Sequence, residues 1–194
     1  MYYNLTAIVL NRQDFRDDDL LVTVYSRERG KCSLLARGAK KILSKLAGHL
    51  EPMSLSFLNV ASGKNIDQLT GALQIKNYAL AKNNLDKTRA ALWFLKLLDK
   101  LTLENHQDER IFELADKYLD FLEKTGENHE MVKLAVGFKL LALLGLDPSA
   151  KAELKFRQEI QFIIHNSMEK IYKNEKLKSN LLQLIFILKK EINV

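Results

Sequence analysis

Apolar and polar residues alternate in five short segments within the first 78 residues, the pattern of half-buried antiparallel β-strands. In the second segment, for example, Leu20, Val22 and Val24 lie on one face. Glycine-containing turns, such as Arg27 to Gly30, separate the second segment from the third and the fourth from the fifth. We predict strands over Tyr3–Asn11, Leu20–Ser26, Lys31–Gly38, Met53–Val60 and Ile66–Ile75.

The segment between the third and fourth predicted strands has a different spacing. Ile42, Leu43, Leu46 and Leu50 recur at helical intervals, so residues 40–51 predict a short helix. Three strands, a short helix and two further strands is the order of an OB-fold barrel, whose face and loops commonly bind single-stranded nucleic acid. Other small barrels share this order, so the order alone leaves the type of barrel open.

The remaining residues favour helices, because apolar residues recur every three or four positions and glycine and proline are scarce. Within residues 150–178 the pattern is ambiguous, since Glu159–His165 is compatible with a strand and Met168–Leu177 with a short helix. The other predicted helices are Leu80–Leu103, Ile111–Thr125, His129–Leu144 and Ser179–Ile192. The sequence therefore predicts an α+β protein, with a five-stranded OB-fold β-barrel in residues 1–78 and an all-α helical domain in residues 79–194.

Composition narrows the class of protein. The longest clean apolar run, Leu140 to Leu146, is far shorter than the roughly 18 residues that cross a bilayer. The first residues lack the basic flank and apolar stretch of a signal peptide, so we expect a cytoplasmic protein without a membrane partner. The single cysteine, Cys32, excludes an internal disulfide and a zinc ribbon. The histidines show no metal-ligand spacing, and we expect no metal or other cofactor.

Positive charge is concentrated in one window, although the net charge of the whole chain is only +6. Residues 27–45 hold seven basic residues and one acid, Glu28, so this window alone carries +6. Such a concentration attracts a polyanion and gains free energy as counterions are released. The alternative is a charged loop without a ligand. The candidate nucleic-acid-binding residues are Arg27, Arg29, Lys31, Arg37, Lys40, Lys41 and Lys45.

Motifs that support catalysis are absent from the sequence. It contains no phosphate-binding loop, dinucleotide-binding fingerprint or nucleophile elbow. Cys32 has no candidate base nearby in sequence and lies on the apolar side of a predicted strand, which favours a buried structural thiol. We therefore assign no catalytic residue and expect a binding protein rather than an enzyme.

Acidic and aromatic side chains near the basic window have alternative interpretations. Three consecutive aspartates, Asp17 to Asp19, do not converge on a metal, because neighbours on an extended chain point to opposite faces. A solvated loop that repels DNA from that end of the barrel is favoured. Tyr3, Tyr25 and Phe57 lie in predicted strands, where a ring on an open face stacks a base. Core packing is favoured for Phe57, whereas Tyr25 is compatible with either role.

An ordered series of short motifs runs through residues 19–52. The series is Asp-x-Leu-Val-Thr, Ser-x-x-x-Gly-Lys, Ala-Arg-Gly-Ala followed by two basic residues, Ser-x-Leu, and Leu-Glu-Pro. Its members are Asp19 to Thr23, Ser26 to Lys31, Ala36 to Lys41, Ser44 to Leu46 and Leu50 to Pro52. This series resembles the N-terminal domain of the bacterial RecO family, and Phe138 to Pro148 resembles the family's central helix and its exit.

The resemblance implies an OB-fold followed by a helical domain, and a role in DNA repair and homologous recombination. It implies binding to single- and double-stranded DNA, strand annealing, and binding to the single-strand-binding protein. It also implies work with RecR in loading RecA onto coated single strands. Many relatives carry a four-cysteine zinc module after this exit, whereas no cysteine follows Pro148 here, so we expect that the zinc module is missing.

The resulting hypothesis is electrostatic. We expect the seven basic residues to contact phosphates from one surface of the barrel, with Arg27 and Arg29 at its edge. Such contacts carry little sequence information, so binding should be non-specific and strongly dependent on salt. Two alternatives from other classes remain open. One is a protein-interaction scaffold whose basic window binds an acidic tail, and the other is an RNA-binding OB protein.

Overall fold

The structure, a computed structural model, describes residues 1–44, 46–125, 129–150 and 152–192. Its first part contains the five strands β1 (Tyr2–Arg16), β2 (Asp19–Ser26), β3 (Gly30–Ala36), β4 (Leu55–Ala61) and β5 (Asp67–Lys76). All five predicted strands are confirmed, with ends displaced by a few residues. The largest difference is in β1, which continues past Asn11 to Arg16 because it keeps pairing with β2 as far as the turn at residues 17–18.

The strands close into a barrel in the order β1-β2-β3-β5-β4. Neighbouring strands are antiparallel except β3 and β5, which pair in parallel at Leu34 with Asp67 and at Leu35 with Gln68. The order and the closure are those of an OB-fold. The predicted five-stranded OB-fold barrel followed by a helical region is therefore confirmed.

Alternation along the strands correctly identifies the interior of the barrel. Side chains at alternate positions of β1, β2, β3 and β4 meet in one apolar cluster, which Leu69 of β5 joins. The cluster includes Leu5, Ala7, Val9, Leu20, Val22, Val24, Cys32, Leu34, Ala36, Leu58, Val60 and Leu69. Cys32 is buried as expected, and burial raises the pKa of its thiol. A protonated thiol in an apolar interior is a packing group rather than a nucleophile.

The helix predicted for residues 40–51 is wrong. The described residues of this segment form turns and a single 3-10 turn at Ala47–His49. The helical spacing is misleading because its apolar residues have different surroundings. Ile42 is fully exposed, Leu46 is partly buried against the barrel core, and Leu50 is completely buried. An amphipathic helix needs these side chains on one buried face, and the segment does not provide it.

Helices follow the barrel directly. The first three are α1 (Ala79–Lys82), α2 (Leu85–Leu101) and α3 (Glu109–Lys124). The long helix predicted from Leu80 is interrupted, because Asn84 accepts hydrogen bonds from the backbone N–H groups of Asp86 and Lys87 and so caps a new helix. The chain divides into two compact units, Met1–Glu123 and Lys124–Val194. The division into domains at residues 78 and 79 stays a prediction.

The second unit consists of helices. They are α4 (His129–Leu143), α5 (Leu154–His165), α6 (Met168–Tyr172), α7 (Glu175–Ser179) and α8 (Leu181–Ile192). α4 is central, because α5, α6 and α8 all pack against it. The strand considered for Glu159–His165 is wrong, since the segment belongs to α5 and buries Ile160 and Ile163 at helical spacing. Among the helices of the described residues, none has the length and apolar character needed to span a bilayer.

The first unit continues from the barrel onto the helices beside it. α2 packs along β1 on the outside of the barrel. Ile8 on β1 and its pairing partner Tyr25 on β2 face away from the barrel core, yet both are completely buried. The Tyr25 hydroxyl donates to the backbone carbonyl of Asp108, just before α3. The outer face of β1 and β2 is therefore covered within the first unit and is not open to solvent at these residues.

Candidate nucleic-acid interface

The structure divides the predicted site residues between the two ends of β3. The hairpin group at the β2–β3 turn consists of Arg27, Arg29 and Lys31, and the basic loop, residues 37–44 after β3, carries Arg37, Lys40 and Lys41. The seven residues of β3, at about 3.3 Å each, separate the two groups by roughly 20 Å. Lys45 lies outside the described residues. The expected single surface is therefore replaced by two clusters with different surroundings.

Both arginines of the hairpin group already have protein partners. The Arg27 guanidinium lies 4.9 Å from the centroid of the Phe112 ring and 3.7 Å from the Glu109 carboxylate. The Arg29 guanidinium lies 3.9 Å from the centroid of the Tyr3 ring and 3.6 Å from the Asp67 carboxylate. Stacking on a ring and pairing with a carboxylate are the two contacts that guanidinium groups make best.

Among the predicted site residues that the structure describes, Lys31 has the least exposed side chain. Its ammonium donates to the backbone carbonyl of Asp99 at 2.6 Å and to the Asp99 carboxylate at 3.3 Å. Asp99 belongs to the last turn of α2, where backbone carbonyls lack partners within the helix and carry partial negative charge. Lys31 therefore caps the C-terminal end of α2 from a neighbouring strand, and only 15% of its side chain is exposed.

The linker between α2 and α3 lies against the same end of β3. The backbone N–H of Asn105 donates to the Lys31 carbonyl at 2.8 Å, and the Ser33 hydroxyl donates to the Glu104 carboxylate. Gly30 has φ of +69°, and a Cβ at this position would lie 2.0 Å from the His106 carbonyl oxygen. The linker therefore covers part of the β2–β3 face that OB-folds commonly use for oligonucleotides.

The predicted roles of the three aromatic residues change accordingly. Tyr25 is completely buried, and burial raises its pKa to about 12, so its ring is not available to a base. One face of the Tyr3 ring is covered by Arg29. The sequence favours core packing for Phe57, but in the structure Phe57 lies outside the barrel core. It is half-buried and pairs on the outer face with Leu73, which is 63% exposed.

The basic loop is anchored at its start and exposed beyond it. Its start is fixed by a hydrogen bond from the Gly38 N–H to the Asp19 carboxylate at 2.7 Å, and by burial of Ala39 in the barrel core. Arg37, Lys40 and Lys41, in contrast, are all exposed. This arrangement presents exposed cationic side chains on an anchored backbone, which suits contact with a phosphate chain.

Acidic residues of the β1–β2 hairpin lie beside the basic loop. The Lys40 ammonium is 3.2 Å from the Asp14 carboxylate, and the Lys41 ammonium is 3.9 Å from the Asp18 carboxylate. The carboxylates of these pairs are 78% and 53% exposed, so the pairs are weak and can exchange for other partners. Asp17 and Asp18 form the expected exposed turn, whereas Asp19 begins β2 and holds Gly38.

The extension of β1 adds two arginines that are not among the predicted binding residues. Arg16 ends β1 opposite Asp19 and is exposed, so it lies at the same end of the barrel as the basic loop. Arg12 pairs with Glu51 at 2.8 Å. Both follow Asn11, where the predicted strand ended. A prediction that extended the strand to Arg16 would have included both arginines on the barrel.

A polar cleft of about 190 Å³ lies at the seam between β3 and β5. Asp67 and Glu104 line it, so its walls are acidic and unsuited to phosphate. The Tyr3 hydroxyl and the Gly63 N–H donate to Asp67, and the Tyr3 hydrogen bond is the main reason that the pKa of this carboxyl is lowered. Within the described residues, no group of three or more acidic, histidine or cysteine side chains is placed to hold a metal ion.

Comparison with known proteins matches two successive parts of the chain to the same family. The family model for the Recombination protein O N terminal matches residues 1–78, and the model for the Recombination protein O C terminal matches residues 82–161. The DNA repair protein RecO of Desulforamulus reducens is 34% identical over 146 residues, which are 75% of this chain and 56% of that protein. The RecO of Syntrophomonas wolfei is 30% identical over 148 residues, or 76% of this chain and 59% of that protein.

A third relative, the RecO of Rubrobacter xylanophilus, is 30% identical over 146 residues, or 75% of this chain and 58% of that protein. The chain thus spans less than three fifths of the length of these curated relatives. The two matched models nevertheless cover the barrel, α2, α3, α4 and the first part of α5, in the order in which the structure has them. The chain belongs to the RecO family of DNA repair proteins.

Proposed function

We propose that this protein binds single- and double-stranded DNA without sequence preference, and that the basic loop is the principal contact. The observation that carries the proposal is the contrast between the two ends of β3. Each cation of the hairpin group is engaged by a ring or by a helix end, Arg27 by Phe112, Arg29 by Tyr3 and Lys31 by the end of α2. The two lysines of the basic loop pair instead with carboxylates that are 78% and 53% exposed. Membership of a DNA repair family supports DNA as the anion.

The mechanism follows from charge. Lysine and arginine side chains that neutralise phosphates release condensed counterions, which favours binding most at low salt. Neutralising phosphates on two strands at once also lowers the repulsion between them and so assists annealing. These steps make and break no covalent bond, so the protein is a binding mediator rather than an enzyme.

The mediator role extends to partners that family membership suggests. We propose that the protein acts in homologous recombination with RecR and the single-strand-binding protein to help load RecA onto single-stranded DNA. The helices after the barrel are the proposed partner-binding region. Support for these partners is the family match alone, so each requires a direct binding measurement.

The test is charge reversal in the basic loop, with a matched control. The Lys40→Glu/Lys41→Glu double variant should lose at least about tenfold in affinity for fluorescein-labelled single-stranded DNA, because it replaces attraction to phosphates with repulsion. The control is Lys170→Glu/Lys173→Glu on and after α6, where two exposed lysines undergo the same change in charge. Unchanged binding by the basic-loop variant would contradict the proposal.

The same titration separates the two alternatives. An acidic peptide in place of DNA tests the scaffold, and an RNA oligonucleotide of the same sequence tests the RNA-binding protein. We expect DNA binding at low micromolar or submicromolar protein, weaker peptide binding, and no preference for RNA. Tighter binding of the peptide than of DNA would favour the scaffold instead.

A further inference from the structure

Two aliphatic side chains occupy the tip of the basic loop. Ile42 is 101% exposed and Leu43 is 92% exposed, the highest values among the large apolar residues that the structure describes. The backbone N–H of Ser44 donates to the Lys41 carbonyl at 2.9 Å, so Ile42 and Leu43 are the central residues of a turn. Glycine, proline, asparagine, aspartate and serine usually occupy such positions, so turn geometry does not explain the aliphatic pair.

The protein holds this tip away from its own core. Gly38 and Lys40 donate from their backbone N–H groups to Asp19 and Asp18, and Ala39 is buried in the barrel. Beyond the tip, Leu46 again packs against the core. A fixed start and a returning end leave Ile42 and Leu43 in solvent, although neighbouring apolar residues of the same segment are buried.

We infer that Ile42 and Leu43 contact nucleobases of single-stranded DNA whose phosphates are held by Arg37, Lys40 and Lys41. This inference rests on the proposed function. Aliphatic side chains are known to insert between bases and unstack them, and the cost of unstacking is smallest in a single strand. The cations are next to the aliphatic pair in the same loop, so one short stretch of DNA can meet both.

The size and charge of the tip favour a nucleic acid over a protein. A stable protein interface buries about 800 Å² on each partner, far more apolar surface than two side chains provide. A flexible polyanion, in contrast, offers a phosphate and an apolar base face in every nucleotide. Contact with bases would also separate them from their neighbours and leave their pairing edges exposed, as annealing requires.

The inference is tested with Ile42→Ser/Leu43→Ser in the full chain. Its affinity for single-stranded DNA should fall about five- to thirtyfold, the lower part of the effect of losing an aromatic ring stacked on one base. The slope of affinity against salt should stay unchanged, because the phosphate contacts remain. A DNA strand containing 2-aminopurine should brighten on binding the native protein, since unstacking relieves quenching, and brighten less with the variant.

Two further variants make the result specific. Leu182→Ser/Phe186→Ser on α8 removes two apolar side chains that are 79% and 71% exposed, and it should change neither readout. Ile42→Phe should raise both the affinity and the 2-aminopurine signal, because an aromatic ring stacks better on a base.

The possible failures have different meanings. If Lys40→Glu/Lys41→Glu loses DNA binding but Ile42→Ser/Leu43→Ser retains native affinity and fluorescence, the base contact is wrong and the proposed function stands. If Lys40→Glu/Lys41→Glu has no effect on DNA affinity, the proposed function is wrong, and the inferred base contact loses its basis. A third arm uses phosphatidylserine vesicles. Vesicle binding that requires Ile42 and Leu43, with DNA binding unaffected by their removal, would assign the tip to lipid and overturn the inference.

Discussion

Replacement of Lys31 by methionine separates a structural cation from a DNA-binding one. Lys31→Met keeps the apolar stem of the side chain and removes only the ammonium, which donates to the Asp99 carbonyl at 2.6 Å and to its carboxylate at 3.3 Å. Hydrogen bonds with a charged donor contribute roughly 1.5–3 kcal/mol when buried. Partial exposure of the two side chains, 15% and 38%, reduces this to about 1–2 kcal/mol.

We therefore expect Lys31→Met to lower the melting temperature by about 2–8 °C, as measured by circular dichroism. Its DNA affinity at a temperature where it is fully folded should stay within about twofold of native, a difference of under about 0.5 kcal/mol. The matched control is Lys41→Met, which should weaken DNA binding and leave the melting temperature unchanged. A Lys31→Met protein of native stability that fails to bind DNA would refute this assignment of roles.

Three further predictions concern the surroundings of the two clusters. Gly30→Ala should destabilise the chain more than Gly38→Ala, because both glycines have positive φ but only at Gly30 would a Cβ collide with the backbone, at His106; equal losses in urea unfolding would contradict the close approach of the linker. Asp14→Asn/Asp18→Asn should tighten DNA binding about two- to thirtyfold at low salt, because the two carboxylates no longer compete with phosphates for Lys40 and Lys41. Unchanged or weaker binding would indicate that the basic loop does not contact DNA. Asp67→Asn should lower the free energy of unfolding at neutral pH. Since the pKa of Asp67 is lowered in the folded state, the native protein should lose this stability as the pH falls below about 4. The variant should lose less stability over the same range. Parallel curves of unfolding free energy against pH would contradict the prediction.

Sequence pattern was most informative where one face of an element is buried. Alternation in β2 placed Leu20, Val22 and Val24 in the barrel interior, because a strand with one buried face has no other way to arrange them. The same argument placed Cys32 inside. The order of the elements and the series of motifs between Asp19 and Pro52 then identified the barrel.

Pattern failed where burial depends on distant residues. Tyr25 lies on an outward position of β2, and only the linker before α3 buries it. Lys31 resembles the other lysines of its window until α2 brings Asp99 to it. Residues 40–51 show helical spacing, yet Ile42 and Leu50 are in opposite environments. Local periodicity contains no information about the contacts of Lys31 and Tyr25, because their partners lie 68 and 83 positions apart in the chain.

The central claim is that the cations of the basic loop hold phosphates, and the salt dependence of binding tests it most directly. For single-stranded DNA, each phosphate contact contributes about 0.7 to the slope of log affinity against log salt concentration. If the basic loop holds phosphates, Arg37→Ala/Lys40→Ala/Lys41→Ala should lower the magnitude of this slope by about 2, relative to the native protein. A slope equal to that of the native protein would show that these three side chains release no counterions, and would contradict the account.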